Sequence, residues 1–261
     1  MSSRRRADTL LAERGLAASR TAAAASVRAG KVRLGREGPS VEKPGQLLPE
    51  DAELFIEPGA RFVSRGGIKL ANALGALPVR VAGRDCLDVG ASSGGFTDCL
   101  LEAGAARVIA LDVGYGQLDW SLRQDERVTV MERRNARHLR PGDLPFRPEL
   151  VVIDVSFISL AKLLAPVVEN SSDTLELLAM VKPQFELGPD RVGRGGVVRD
   201  PEARRDAIRA VAASAEALGL TVRGLAPSGL PGPKGNRETF VWLARDGEPA
   251  ELEAALAEVE P

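Results

Sequence analysis

Four ionisable residues stand where a chain could gather them: Lys69, Asp154, Lys182 and Glu238. Asp154 lies near the end of an apolar run over 150–155, Lys182 follows the run Leu177–Val181, and Glu238 precedes the run Thr239–Leu243. Lys69 comes earlier, in Val63-Ser-Arg-Gly-Gly-Ile-Lys69-Leu. If the runs are strands of one open sheet, Asp154 and Lys182 face a common space beside its ligand crevice. Burial after an apolar strand disfavours the charged form of a lysine. A neutral amine is what a general base for a sugar hydroxyl needs near neutral pH. The two carboxylates oppose that effect and hold the lysines in place, so the net protonation stays open. Structural ion pairs at a sheet edge would use the same residue types.

A second cluster follows the apolar run Cys86–Val89. Asp88-Val-Gly90-Ala-Ser92-Ser-Gly94-Gly95-Phe96 has the form of a strand–turn–helix junction at which a backbone approaches a ligand closely. A dinucleotide fingerprint requires glycine where this chain has Ser92, and the Asp88 carboxylate would repel a pyrophosphate. A cationic sulfonium and ammonium suit that carboxylate better, which points to S-adenosyl-L-methionine. Asp112, 24 residues after Asp88, ends the next apolar run and is placed for both ribose hydroxyls. Asn135 follows the third run, where an adenine edge would lie. A glycine turn capped by aspartates also occurs for purely structural reasons; two aspartates at successive strand ends favour the ligand.

The elements that must carry these groups alternate. Cys86–Val89, Val108–Leu111, Val128–Met131, 150–155 and Leu177–Val181 read as strands, with helices predicted over 95–103 and 201–218. Thr221–Leu225 and Thr239–Leu243 close the series. Such alternation predicts an α/β fold with a mostly parallel sheet and helices on both faces. Before it, residues 1–60 form a small α+β unit. Leu10, Leu11 and Leu16 are spaced for one buried helical face, Ser19 caps a helix over Arg20–Ala29, and Lys31–Leu34 and Leu54–Glu57 are short strands. Pro58-Gly59 marks its end, 61–65 is read as a linker, and 66–261 as the second domain.

Charge divides the chain the same way. Lys plus Arg number 35 and Asp plus Glu 36, for a net charge of -1. Residues 1–36 nevertheless hold nine cations against Asp8 and Glu13, a local +7, so the remainder carries -8. That asymmetry points to an anionic partner for the first unit, with Arg4, Arg6, Arg14, Arg20, Arg28 and Lys31, and Arg65 further on, as candidate contacts. One histidine excludes a multi-histidine zinc site, and two cysteines exclude a disulfide framework. No apolar run reaches 18 residues and no signal-peptide core follows the basic start, so a cytoplasmic protein is expected.

The residues also carry a family resemblance. The central region resembles the FtsJ-like RNA ribose methyltransferases, whose Lys-Asp-Lys-Glu tetrad maps onto Lys69, Asp154, Lys182 and Glu238. The whole chain resembles the TlyA family, also called hemolysin A, in Arg6-Ala-Asp8-Thr-Leu-Leu-Ala-Glu-Arg-Gly-Leu16 with Ser19-Arg20 and in Val63 to Leu70. The match continues through Asp88 to Thr97, Asp112 to Leu118, Asp154-Val-Ser-Phe-Ile-Ser159 and Val181-Lys-Pro-Gln-Phe-Glu186. The resemblance implies an S4-like RNA-binding domain joined to a Rossmann-like class I methyltransferase whose last strand is antiparallel. It implies S-adenosyl-L-methionine-dependent methylation of cytidine 2′-hydroxyls in ribosomal RNA, on ribosomal subunits, with Phe157 beside the adenosyl group. The start Met-Ser-Ser-Arg-Arg-Arg matches members acting on both subunits. Arg61-Phe62-Val63-Ser64 stands where one subgroup has Arg-Ala-Trp-Val, which leaves a cofactor-sensing linker open. A monomer is expected. The competing readings are a non-enzymatic RNA-binding or ribosome-assembly protein and a membrane-active hemolysin.

Overall fold

A computed structural model describes residues 4–28, 30–56, 61–232 and 234–260 of the chain. It divides into two compact units, 1–61 and 62–261. The expected boundary at Pro58-Gly59 lies outside the described residues, as do Ala29 and Glu57.

The first unit runs β1 (Arg4–Arg6), α1 (Ala7–Glu13), α2 (Arg20–Arg28), β2 (Val32–Leu34), β3 (Leu47–Pro49) and β4 (Leu54–Ile56). β1 pairs with β3 and β2 with β4, both antiparallel. Leu10, Leu11, Val27, Val32, Leu48 and Leu54 form its core. Ser19 caps α2 as its sequence position predicts, its hydroxyl accepting from Ala22 N at 3.1 Å. Leu16 departs from expectation. α1 ends at Glu13, so Leu16 falls past the helical face that Leu10 and Leu11 bury and is 43% exposed.

The second unit opens with α3 (Arg65–Ala76), β5 (Asp85–Val89), α4 (Gly95–Glu102), β6 (Arg107–Leu111), α5 (Trp120–Arg123) and β7 (Val128–Met131). It continues with β8 (Leu150–Ile153), α6 (Ala161–Asn170), β9 (Glu176–Val181), α7 (Pro183–Glu186) and α8 (Pro201–Glu216). β10 (Thr221–Pro227), β11 (Thr239–Ala244) and α9 (Leu252–Val259) complete it. The seven strands lie in the order β10-β11-β9-β8-β5-β6-β7, parallel throughout except for β11, which is antiparallel to both neighbours. The chain winds outward from β5 through β6 to β7, then returns to β8 on β5's other side. The switch between β5 and β8 opens the crevice at the carboxyl ends of the strands.

Strand alternation sorts the side chains into two cores. Leu87, Val89, Val151, Ile153, Leu177 and Ala179 face Leu163 and Val167 of α6 and Ile208 and Val211 of α8. Cys86, Val108, Leu150, Val152, Leu178 and Met180 face Leu70 and Ala73 of α3 and Phe96 and Leu100 of α4. Phe62, read in sequence as linker, is buried in this second core, and Arg65 opens α3.

Phe62 sets a condition on α3. A Cβ at Gly67 would strike the Cγ of Phe62, so the helix keeps a glycine where alanine would favour helicity by about 1 kcal/mol. Overpacking a core costs about 1–3 kcal/mol, and the clash should win. Gly67→Ala is expected to lower stability by about 1–2 kcal/mol in urea unfolding; a stabilised variant would show that Phe62 is not fixed there.

Candidate active site

The end of β8 places the first functional carboxylate. Asp154 N donates to Val89 O at 2.9 Å, extending the β5–β8 ladder by one bond and holding Asp154 at the crevice. Lys182 follows β9, its Nζ 2.5 Å from Asp154 Oδ1 and donating to Ser156 Oγ at 3.1 Å. Thr239 sits opposite Val181 in the antiparallel register, which brings Glu238 to the same end of the sheet as Lys182. Lys69 projects from α3 and donates to Glu238 Oε2. Both lysines are 8% exposed. The four residues therefore form two ion pairs, Lys182–Asp154 and Lys69–Glu238, contributed by α3 and three strand ends.

Two cavities adjoin this group: Lys69 and Asp154 line them, while their partners Glu238 and Lys182 line neither. The smaller, about 190 Å³, is lined by Ser64, Arg65, Lys69, Ser93, Phe96 and Asp154. The larger, about 570 Å³, is lined by Asp112, Gln117, Asn135, Ser156, Phe157 and Ile158. Gly90, Ser92 and Asp154 border both, so one elongated ligand can span them. Gly90 has φ +88°, and a Cβ there would strike the Asp154 carbonyl. At Gly95 a Cβ would meet Ser64 Oγ and the backbone of Gly67. Close approach of α3 and Asp154 to the turn is therefore built on glycine. Gly94 serves packing instead: it is absent from both cavity walls, and a Cβ there would meet Leu122 and Leu118.

Asp112 ties the turn to the end of β6, accepting from Ser92 N at 2.8 Å and Gly114 N at 2.6 Å. Each carboxylate oxygen accepts more than one bond, so Asp112 retains acceptor capacity at the wall of the larger cavity. Asn135 caps a short helical turn through Arg137 N at 3.0 Å and lines the same cavity. Phe157 stands at its rim, 90% exposed at φ +66°, with its ring 5.2 Å from that of Phe185. Gln117 was not singled out by sequence reasoning, although it sits in the same motif as Asp112; it approaches Ser92 Oγ through Oε1 at 3.3 Å.

Asp88 differs from its expected place. Alternation along β5 turns it with Cys86 toward α4, away from both cavities, and it is fully buried. Thr97 Oγ1 donates to its Oδ2 at 2.7 Å, while its Oδ1 has no partner. Direct contact with a ligand cation is therefore not the arrangement here. Burial pushes its carboxyl up to about 7, against the Thr97 bond that lowers it.

In the first unit Arg4, Arg6, Arg14, Arg20, Arg28 and Lys31 are all exposed, but several are also held internally. Arg6 donates to both oxygens of buried Asp8, at 3.0 and 2.7 Å, and Arg20 lies 3.4 Å from it. The Arg6 bonds hold the Asp8 carboxyl down to about 2. Arg14 donates to the carbonyls of Ala52, at 2.6 Å, and Glu50. Arg6 and Arg28 border a groove with Lys43, a cation that sequence reasoning passed over. Arg65 belongs to the second unit, where it donates to Pro231 O at 3.2 Å.

A family model for FtsJ-like methyltransferases matches residues 62–245. Over 245 residues the chain is 50% identical to the 16S/23S rRNA (cytidine-2′-O)-methyltransferase TlyA of Mycobacterium tuberculosis, covering 93% of this chain and 91% of that one. Among solved structures, one from Streptococcus thermophilus named as a hemolysin superposes with TM-score 0.73 at 37% identity, covering 99% of this chain and 96% of that one. Another so named, from Lactococcus lactis, has TM-score 0.73 and 45% identity over 77% of this chain and 99% of that one.

The Asp88 carboxyl makes stability depend on pH in a definite direction. Below its ordinary value near 3.8, folded and unfolded chains both carry the proton; from there to about 7 only the unfolded chain ionises freely. Stability should therefore fall as pH rises through that window and level off above it, by roughly 4 kcal/mol at most. Asp88→Asn should remove this component. Urea unfolding at pH 4 and pH 8 is expected to show the variant gaining on the unsubstituted chain at the higher pH, and an equal gap at both would contradict the assignment.

Proposed function

The chain belongs to the FtsJ-like methyltransferase family, and from that premise we propose that it methylates the 2′-hydroxyl of cytidine ribose in small- and large-subunit ribosomal RNA. The observation that carries this reading is the pair of buried lysine–carboxylate contacts beside two joined cavities. S-adenosyl-L-methionine is the ligand we assign to the cavities: Asp112 and Asn135, both in the wall of the larger one, would accept from ribose and adenine, and Gly90 borders both cavities. When bound, it would supply an electrophilic methyl group on a sulfonium, whose carbon–sulfur bond would break to leave a neutral thioether.

The chain's own residues then have distinct tasks. Lys182, once its own proton has passed to solvent, takes the proton from the ribose hydroxyl as the oxygen forms its bond to the methyl carbon, and Asp154 stabilises the ammonium so restored. Lys69, at the wall of the smaller cavity, holds the ribose oxygen in line, with Glu238 fixing the lysine. Holding both reactants in near-attack geometry is a large part of the rate such a site can supply. Asp88 supports the turn from behind it.

The first unit is proposed as an S4-like RNA-binding domain whose exposed cations meet phosphates. Such contacts supply affinity and register while structured RNA is recognised by shape. A ribosomal substrate implies a cytoplasmic location. All four proposed catalytic residues come from one chain, so the reading needs no second copy. The hemolysin reading finds no support in the helices: among the described residues, none is long and apolar enough to cross a membrane.

Lys182→Ala separates the enzymatic reading from an RNA-binding one. Transfer of tritiated methyl to isolated small and large ribosomal subunits should drop by at least about a hundredfold, the lower range for loss of acid–base catalysis. RNA affinity should stay within about threefold, because bulk phosphate contacts are untouched. Equal loss of both would contradict the role given to Lys182.

A further inference from the structure

Glu238 is the member of the four that precedes its strand, closing the loop that joins β10 to β11. Its placement depends on what anchors that loop. Asn236, two residues before it, is 2% exposed and uses both ends of its amide. Its Oδ1 accepts from Val198 N at 2.9 Å and its Nδ2 donates to Gly196 O at 2.7 Å. Asn236 thus joins the entry of β11 to the glycine-rich segment 193–199.

That segment is gripped from its other side by Arg204 of α8. Arg204 Nη1 donates to Arg199 O at 2.7 Å and to Val198 O at 3.4 Å, while its Nε donates to Glu260 Oε2 at 2.6 Å. Arg204 is 7% exposed and Glu260 2%. Glu260 also meets both chain neighbours of Glu238. Arg237 Nη1 lies 3.6 Å from its Oε2, and the Thr239 hydroxyl donates to its Oε1 at 3.4 Å. Arg205 holds the Glu260 backbone carbonyl at 3.0 and 2.7 Å.

We propose that Asn236 and the buried Arg204–Glu260 pair are positioning residues for the reaction. Together they latch the entry of β11 and set where Glu238, and through it Lys69, stands against the substrate. The proposal rests on the methyl-transfer reading. A link between α8 and α9 does not by itself account for the pair. The two helices have an exposed link of their own, in which Arg209 donates to Glu253 at 2.9 and 2.8 Å. Burying a second pair requires desolvating two charges, and this one is aimed at the residues flanking Glu238.

The test compares Asn236→Ala, Glu260→Gln and Glu260→Asp with Glu253→Gln, the exposed contact between the same two helices. Asn236→Ala and Glu260→Gln are expected to lower kcat for methyl transfer by tenfold or more, with KM for ribosomal RNA and the cofactor Kd within twofold. Glu260→Asp, which keeps the charge, should recover kcat to within threefold of the unsubstituted chain. Glu253→Gln should match the unsubstituted chain. Equal kcat in all four variants would overturn the latch, as would loss of cofactor affinity in step with kcat. Amide exchange at Val198 reads the latch without any activity: it should accelerate in Asn236→Ala and Glu260→Gln but not in Glu253→Gln, and unchanged exchange overturns the proposal. An unsubstituted chain inactive on every ribosomal substrate would overturn the methyl-transfer reading instead. If one variant does not fold, the other decides.

Discussion

Two lysines, each 8% exposed, are held at the mouth of one crevice by one carboxylate apiece. Removing water from an ammonium is costly unless an anion and further polar contacts replace it, and breaking such a pair costs about 3–5 kcal/mol. Asp154 therefore has to end β8 where Lys182 ends β9, and Glu238 has to enter β11 where α3 presents Lys69. The parallel register of β8 and β9 and the antiparallel register of β11 meet those requirements. The glycines of the turn meet another: with Cβ atoms at Gly90 and Gly95, neither Asp154 nor α3 would lie so close. The same pairs suit the chemistry. Under the proposed mechanism, a lysine that has lost its proton and regains one from a hydroxyl returns to the ammonium that its carboxylate already stabilises.

The carboxylates are divided by depth. Asp112 stays at a cavity wall with backbone amides on both oxygens. Asp88, on the opposite face of its strand from Val89, loses solvent altogether and is driven up to about 7. In the first unit Asp8 goes the other way: the guanidinium of Arg6 holds it charged, and Asp8 in turn orients Arg6 while lying close to Arg20. A basic stretch of +7 is thus partly preorganised, with some cations held in place by their own neighbours.

Much of this was legible in the sequence because strands and turns write short, local signals. The consecutive strands β5 to β9 follow from apolar runs, and Asp154, Lys182, Asp112 and Asn135 follow from standing at the ends of those runs. What was not legible depended on the third dimension. Nothing in the period of β5 says which face α4 covers, so Asp88 was placed in the cavity when it lies behind it. The helix α3 has no counterpart among the elements read from the sequence, and the glycine it keeps at 67 is required by the Phe62 side chain that packs on it. Asn236 and Glu260 carry no local pattern at all. Their partners lie 38 and 56 residues away.

The central claim is that the paired lysines and carboxylates direct a methyl group to a ribose oxygen. It is tested most directly by digesting ribosomal RNA methylated by the pure protein to nucleosides and identifying the product by mass spectrometry. The account predicts 2′-O-methylcytidine, with the added mass on the sugar fragment. A methyl group on the base fragment would contradict it.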